Sequence, residues 1–159
     1  AQVYQDIPFE IPGVAEAAHL TLSVTDAVGR VTAVNSVPLI LLSIGAADVI
    51  PAVDLRAPIL IQQPQPNALV QGKRLIASGL VRSGGDTYLM VQLWDAEGKV
   101  LGQRVTNVQP AEEVGFGFFN TEVPYTVSEP TPALLVVWQG VGSLSNILYL
   151  ASVEVLLSP

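Results

Sequence analysis

The chain has 159 residues, half of them hydrophobic and 13% charged, with 14 acidic against 7 basic side chains and a formal net charge of −7. That length allows one domain or two small ones with a real core, and the composition excludes general disorder. No basic cluster is present to neutralise phosphates, which argues against nucleic acid and anionic membrane surfaces as partners, and the lack of cysteine excludes disulfides and thiolate metal sites.

Twelve prolines and thirteen glycines separate short segments rich in Val, Leu, Ile and Thr. No segment holds a helical period over three turns, and residues 14–18, VAEAA, allow one helical turn at most. Alternation and turn spacing predict strands over residues 3–11, 19–25, 31–42, 59–62 and 74–81. They continue over 87–94, 100–108, 115–125, 133–139 and 147–157. Residues 25–30, TDAVGR, and 94–99, WDAEGK, both set Asp three residues before Gly. Asp enters a hairpin turn by bonding backbone N–H groups and Gly supplies the positive φ. Residues 83–86, SGGD, mark a third turn. The longest apolar run, residues 37–44, is broken by Pro38 and Ser43 and is too short to span a bilayer, so no membrane insertion is expected. No signal-peptide pattern is present. Short strands punctuated in this way predict an all-β fold, an antiparallel immunoglobulin-like β-sandwich.

A repeat divides the chain. Residues 6–11, DIPFEI, and 122–127, EVPYTV, share one pattern of acid, aliphatic, Pro, aromatic, any residue, aliphatic. The first leads to HLTLSV at 19–24 and PLILLS at 38–43; the second leads to ALLVVW at 133–138 and VEVLLS at 153–158. Residues 1–44 therefore read as the C-terminal half of an immunoglobulin-like repeat, 45–56 as a linker and 57–159 as a complete domain. The phrase at 26–31, DAVGRV, also matches DAEGKV at 95–100, which aligns the first segment with the middle hairpin instead. The Pro-aromatic phrase and the shared ending favour the first alignment. A half-domain at Ala1 implies sequence removed upstream. A half-sheet carrying Leu20, Leu22, Val24, Leu39 and Leu41 also predicts a homodimer in which two N-terminal halves share one core.

The complete unit resembles the immunoglobulin-like domain of bacterial spore germination proteins. The resemblance rests on ILIQQP at 59–64, a Pro-Gly-like turn at Pro66 and Asn67, Val70, and a strand ending in Gly79. It continues through the hairpin of Asp95 and Gly98, the strand led by Phe118 and Phe119, and a closing pair of strands. The last hairpin departs from the pattern, since GSLSN at 142–146 has no acidic turn residue. The resemblance implies an extracytoplasmic, cell-surface or secreted bacterial module with a structural or adhesive role, and it carries no catalytic motif to transfer.

Candidate chemistry is sparse. His19 is the single histidine, with Ser23 and Asp26 near it in sequence. Ser23 lies about 13 Å along the same strand face, and no nucleophile elbow is present, so His19 reads as a strand or surface residue rather than a base. Glu112 and Glu113 form the one adjacent acidic pair, in a Pro-led loop without apolar surroundings to raise a pKa. Asp48, Asp54 and Asp86 are the loose candidates for calcium, but no Asp-x-Asp-x-Asp run exists; no metal, cofactor or catalytic residue is assigned. Gly115–Gly117 and Gly140–Gly142 lack the helix a phosphate cradle needs. The binding candidate is the strand at 87–94. Leu89, Val91 and Leu93 share one face, and Tyr88, Met90, Gln92 and Trp94 share the other. If the aliphatic face is core, the aromatic face has two readings. It contacts a protein partner or, with Trp138, a cell-wall glycan; or it packs beneath a neighbouring loop or the half-domain. The expected function is that of a non-catalytic spacer or partner-binding module, with carbohydrate binding as the alternative.

Overall fold

The structure, a computed structural model, describes residues 5–45, 57–82, 88–110, 115–140 and 147–159. Its strands are β1 (Ala15–Thr25), β2 (Val31–Leu42), β3 (Ile59–Gln63), β4 (Ala68–Val70), β5 (Arg74–Arg82) and β6 (Tyr88–Trp94). They continue as β7 (Val100–Asn107), β8 (Gln109–Pro110), β9 (Phe116–Pro124), β10 (Thr131–Gly140) and β11 (Ile147–Leu157). The fold is all-β. Seven strands form one sheet, ordered β1-β2-β11-β10-β6-β7 with β4 beside β11, and four form a second, ordered β3-β5-β9-β8. From β3 onward this is the strand order of an immunoglobulin-like sandwich.

Alternation explains the core. On the smaller sheet, Ile59, Leu75, Ala77, Val81, Phe119 and Val123 point inward; on the larger sheet, Leu89, Val91, Leu93, Leu135, Val137 and Leu157 meet them, all buried in one cluster. The aliphatic face of β6 is thus core, as its sequence requires, with Leu89, Val91 and Leu93 at 0% exposure. Sheet packing is close at Gly79, where an added Cβ would run into the Leu60 carbonyl oxygen and the Phe119 ring. Tyr125 ends β9 beneath the sandwich. Its hydroxyl lies 2.9 Å from the carbonyl oxygens of both Val70 and Ser158, and so ties β4 to the end of β11.

Two short strands have no counterpart in the sequence reading. β4 pairs parallel with β11, Val155 to Ala68 through Leu157 to Val70. The turn ahead of it is the expected Pro66–Asn67 turn: Asn67 takes φ 62° in glycine's place, and Ala68 N–H donates to the Gln65 carbonyl at 3.1 Å. β8 pairs with β9 at Gln109–Phe118 and Pro110–Gly117.

The N-terminal segment forms an antiparallel hairpin of β1 and β2. Residues 5–11 of the expected first strand are not strand, and residues 3 and 4 lie outside the described residues. Pro8 and Pro12 remove two ladder donors there. Residues 15–18, read as part of one helical turn, are strand instead, because Ala15 to Ala18 pair with Leu42 to Leu39. The hairpin joins the sandwich through β2, with Val34 opposite Leu150 and the Ser152 hydroxyl donating to the Thr32 carbonyl at 2.8 Å. Residues 46–56 of the expected linker and the turn at 83–86 lie outside the described residues.

The two DA-x-G turns are built alike. Asp26 Oδ1 accepts from the N–H groups of Val28 (3.0 Å) and Arg30 (2.9 Å); Asp95 Oδ1 accepts from those of Glu97 (3.0 Å) and Lys99 (2.8 Å). Gly29 and Gly98 have φ 87° and 80°, and each donates to the Asp carbonyl three residues back at 3.1 Å. The likeness extends along the strands. Leu20, Leu22 and Val24 stand at the same distances before Asp26 as Leu89, Val91 and Leu93 before Asp95. The hairpin β1–β2 therefore matches β6–β7 in turn and in apolar spacing, the second of the two alignments the sequence allows.

Candidate functional site

The outer face of the larger sheet carries the aromatic stripe. Register places Trp94 beside Leu134, Gln92 beside Val136 and Met90 beside Trp138, with Leu150 on the far side of Trp138. These residues do not form an open platform. Leu134, Val136 and Leu150 are buried together with Val34 of β2, and Trp94, Trp138, Val31 and Ile147 pack around them as a second apolar cluster. The hairpin supplies the cover. Its turn reaches across to the β6–β7 turn, where Arg30 Nη1 donates to the Asp95 carbonyl at 3.0 Å. Arg30 Nε also pairs with Asp26 Oδ2 at 2.8 Å, and this hydrogen bond is the chief reason the Asp26 carboxyl titrates below its ordinary value. A cleft of about 370 Å³ remains under the turn, lined by Arg30, Asn67, Ala96, Pro132 and Glu154 among others.

Gln92 organises the centre. It is only 6% exposed, and its Oε1 accepts from both indole N–H groups, Trp138 at 3.1 Å and Trp94 at 3.3 Å. Its Nε2 donates to Gln103 Oε1 at 3.1 Å. One amide thus satisfies two tryptophans on neighbouring strands, which holds both rings edge-on to it. Of the four stripe residues, Gln92 is buried, Met90 and Trp94 are half-buried, and Tyr88 is exposed at 64%. The sequence alone places these four on one face; Trp138 joins them through strand order. The reading in which the stripe packs under the N-terminal segment describes the Trp94 end.

The other candidates stand apart. His19 and Ser23 are exposed on β1, and the Asp26 carboxylate is taken up by its own turn and by Arg30. Glu112, Glu113, Asp48, Asp54 and Asp86 lie outside the described residues, as do residues 141–146 of the last hairpin. Among the described residues no three His, Cys, Asp or Glu side chains are grouped so as to hold a metal ion, and no helix is long and apolar enough to cross a membrane.

The hairpin carries the apolar surface that the sequence reading expected of an open half-sheet. Leu20, Leu22, Val24, Val37 and Leu39 are 45%, 67%, 52%, 48% and 36% exposed, although they follow the same alternation that buries β6. On the opposite face Ile40 and Leu42 are 73% and 45% exposed, beyond the part that Val34 and Ser36 bury. No protein-family model matches the chain, and no curated protein matches its sequence.

Proposed function

We propose that the chain is a non-catalytic module of a bacterial surface or secreted protein, working outside the cytoplasm as a spacer that binds a protein partner through its N-terminal hairpin. The observation that carries this reading is the apolar surface of β1–β2. Contiguous exposed apolar patches of that size on a folded protein mark interaction surfaces. Leu20, Leu22 and Val24 repeat the spacing of Leu89, Val91 and Leu93, a set that is fully buried where a second sheet stands opposite. The resemblance to the immunoglobulin-like domain of spore germination proteins supports the extracytoplasmic placement, and the sandwich behind the hairpin is a suitable rigid support.

The test is made in the organism that produces the protein. A photo-crosslinking amino acid at Leu22 should yield a protein adduct on intact cells, and one at Val105, exposed on β7, should not. Antibody added to intact cells should reach the chain. A Leu22 probe that captures nothing, or an epitope reached only after lysis, would overturn the reading. A glycan panel with purified protein separates it from carbohydrate binding, which would instead depend on Tyr88 and Trp94.

A further inference from the structure

We infer that the occupant of the exposed face of β1–β2 is the same face of a second copy of this chain, the two hairpins packing sheet on sheet about a twofold axis. The inference rests on the reading of the hairpin as a contact surface and names its partner.

The face is defined by register. Leu20 stands opposite Val37, Ala18 opposite Leu39, and Val24 opposite Ala33, so these cross-strand pairs are apolar, while Leu22 stands opposite the exposed Asn35. Val34, on the other face, is the residue buried against the sandwich, so the side carrying Leu20 and Leu22 points away from the hairpin's own domain. Large and small side chains alternate across it, Leu39 beside Ala18 and Val24 beside Ala33. Such a surface interdigitates with a copy of itself, as the inner faces of a sandwich do. The chain already uses this side-chain spacing in that way, since Leu89, Val91 and Leu93 on β6 are buried against the smaller sheet.

Charge permits the pairing. The chain carries a net charge of −7, yet the one charged residue of β1 on this face is Glu16, at the end remote from the turn. A twofold axis lying between the two faces and across the middle of the strands runs the two hairpins in opposite directions. The two Glu16 side chains then lie on the order of 25–30 Å apart along the strands, well beyond a Debye length of about 8 Å. A twofold contact is also closed, so it ends at a dimer rather than growing into a fibre.

Size sets the strength. Two strands of about 11 residues present a face roughly 36 Å by 10 Å, and counted over both copies as accessible surface this comes to about 1,000 Å² at most. That is the lower edge of specific interfaces, so the dimer is weak, with a dissociation constant of the order of tens of micromolar. Copies held together on a surface would associate far more completely, because tethering raises their effective concentration.

The experiment uses the purified chain. In sedimentation velocity the wild-type protein should shift from monomer to dimer between about 1 and 200 μM, the range that spans such an affinity. Leu22→Lys should remain monomeric across that range and melt at the wild-type temperature, since Leu22 is 67% exposed and outside both buried clusters. The cysteine-free sequence gives a clean positional test. Under oxidation Leu20→Cys, next to the axis, should form a disulfide-linked dimer, whereas Leu22→Cys, whose two copies lie roughly 14 Å apart along the strands, and His19→Cys, on the opposite face, should not. A wild-type chain that stays monomeric throughout, or a Leu22→Lys dimer of unchanged affinity, would overturn the inference. So would equal crosslinking at positions 19 and 20, which would indicate pairing of β1 edges. Monomeric purified protein together with a Leu22 adduct to a different protein on cells would remove the second copy as partner and leave the contact surface standing.

Discussion

Gln92→Leu removes an acceptor that two indoles share while leaving a side chain of similar volume. In the native protein its Oε1 takes hydrogen bonds from Trp138 and Trp94, and its amide nitrogen reaches Gln103. A net hydrogen bond contributes about 0.5–1.5 kcal/mol, so losing both indole bonds should destabilise the fold by about 1–3 kcal/mol. The two indoles are half-buried, which holds the cost below that of stranding fully buried donors. Trp138→Phe removes one of the same donors. If the bond is real, the double variant should cost less than the two single variants together, with a coupling of about 0.5–1.5 kcal/mol. Urea titrations followed by circular dichroism supply the three free energies. Trp138→Phe also leaves Trp94 as the single tryptophan, so its emission should respond when Gln92 is then replaced. Costs that add to within about 0.3 kcal/mol, with an unaltered Trp94 spectrum, would refute the shared-acceptor geometry.

Tyr125→Phe should cost about 1–2 kcal/mol in a denaturant titration, because the hydroxyl donates to a carbonyl at the junction of β4 and β11 and the ring is only 3% exposed. Gly79→Ala should destabilise more than Gly98→Ala: the first forces a Cβ into the Leu60 carbonyl and the Phe119 ring, while the second, in open space, meets only the strain of φ 80°, about 1–2 kcal/mol. Thermal melts rank the pair. The Asp26 carboxyl is held below its ordinary value, mainly by the hydrogen bond from Arg30, so its folded form binds protons less readily than its unfolded form. The stability it contributes is therefore present above the ordinary carboxylate range and is lost as pH falls through the lowered value. Melting of wild type and Asp26→Asn should differ most near neutrality and converge in acid.

Strand positions were legible wherever alternation was strong and a partner followed in sequence. The segments 31–42 and 147–157 are strands to the residue, and the two Asp-Ala-x-Gly turns form as their chemistry requires. The exceptions have physical causes. Residues 5–11 alternate suitably, but Pro8 and Pro12 cannot donate to a ladder there. β4 is three residues long and is defined by parallel pairing with a strand some ninety residues later, which no local pattern encodes. The site was half legible. Alternation put Tyr88, Met90, Gln92 and Trp94 on one face, but only strand order brings Trp138 alongside and lays the hairpin over Trp94. Gln92, polar and on a face expected to be open, gave no local sign that it would be buried.

The two like hairpins show why burial is a property of surroundings rather than of sequence pattern. β6–β7 and β1–β2 share a turn motif, an Asp that bonds the same two N–H positions, and aliphatic residues at the same spacing. In the sandwich that spacing buries Leu89, Val91 and Leu93 completely, because β3, β5 and β9 stand opposite. Among the described residues no strand of the smaller sheet stands over β1–β2, and Leu22 is 67% exposed. A fully buried aliphatic side chain contributes about 1.5–3 kcal/mol, so a row of them left open is a standing drive toward association. The sandwich offers no equal: its inner faces are closed on each other, and the hairpin shields the Trp94 end of its outer face. The stickiest surface of the described structure is therefore also the one built on a hairpin pattern that elsewhere in the chain packs against another sheet, and the proposed contact at β1–β2 rests on that.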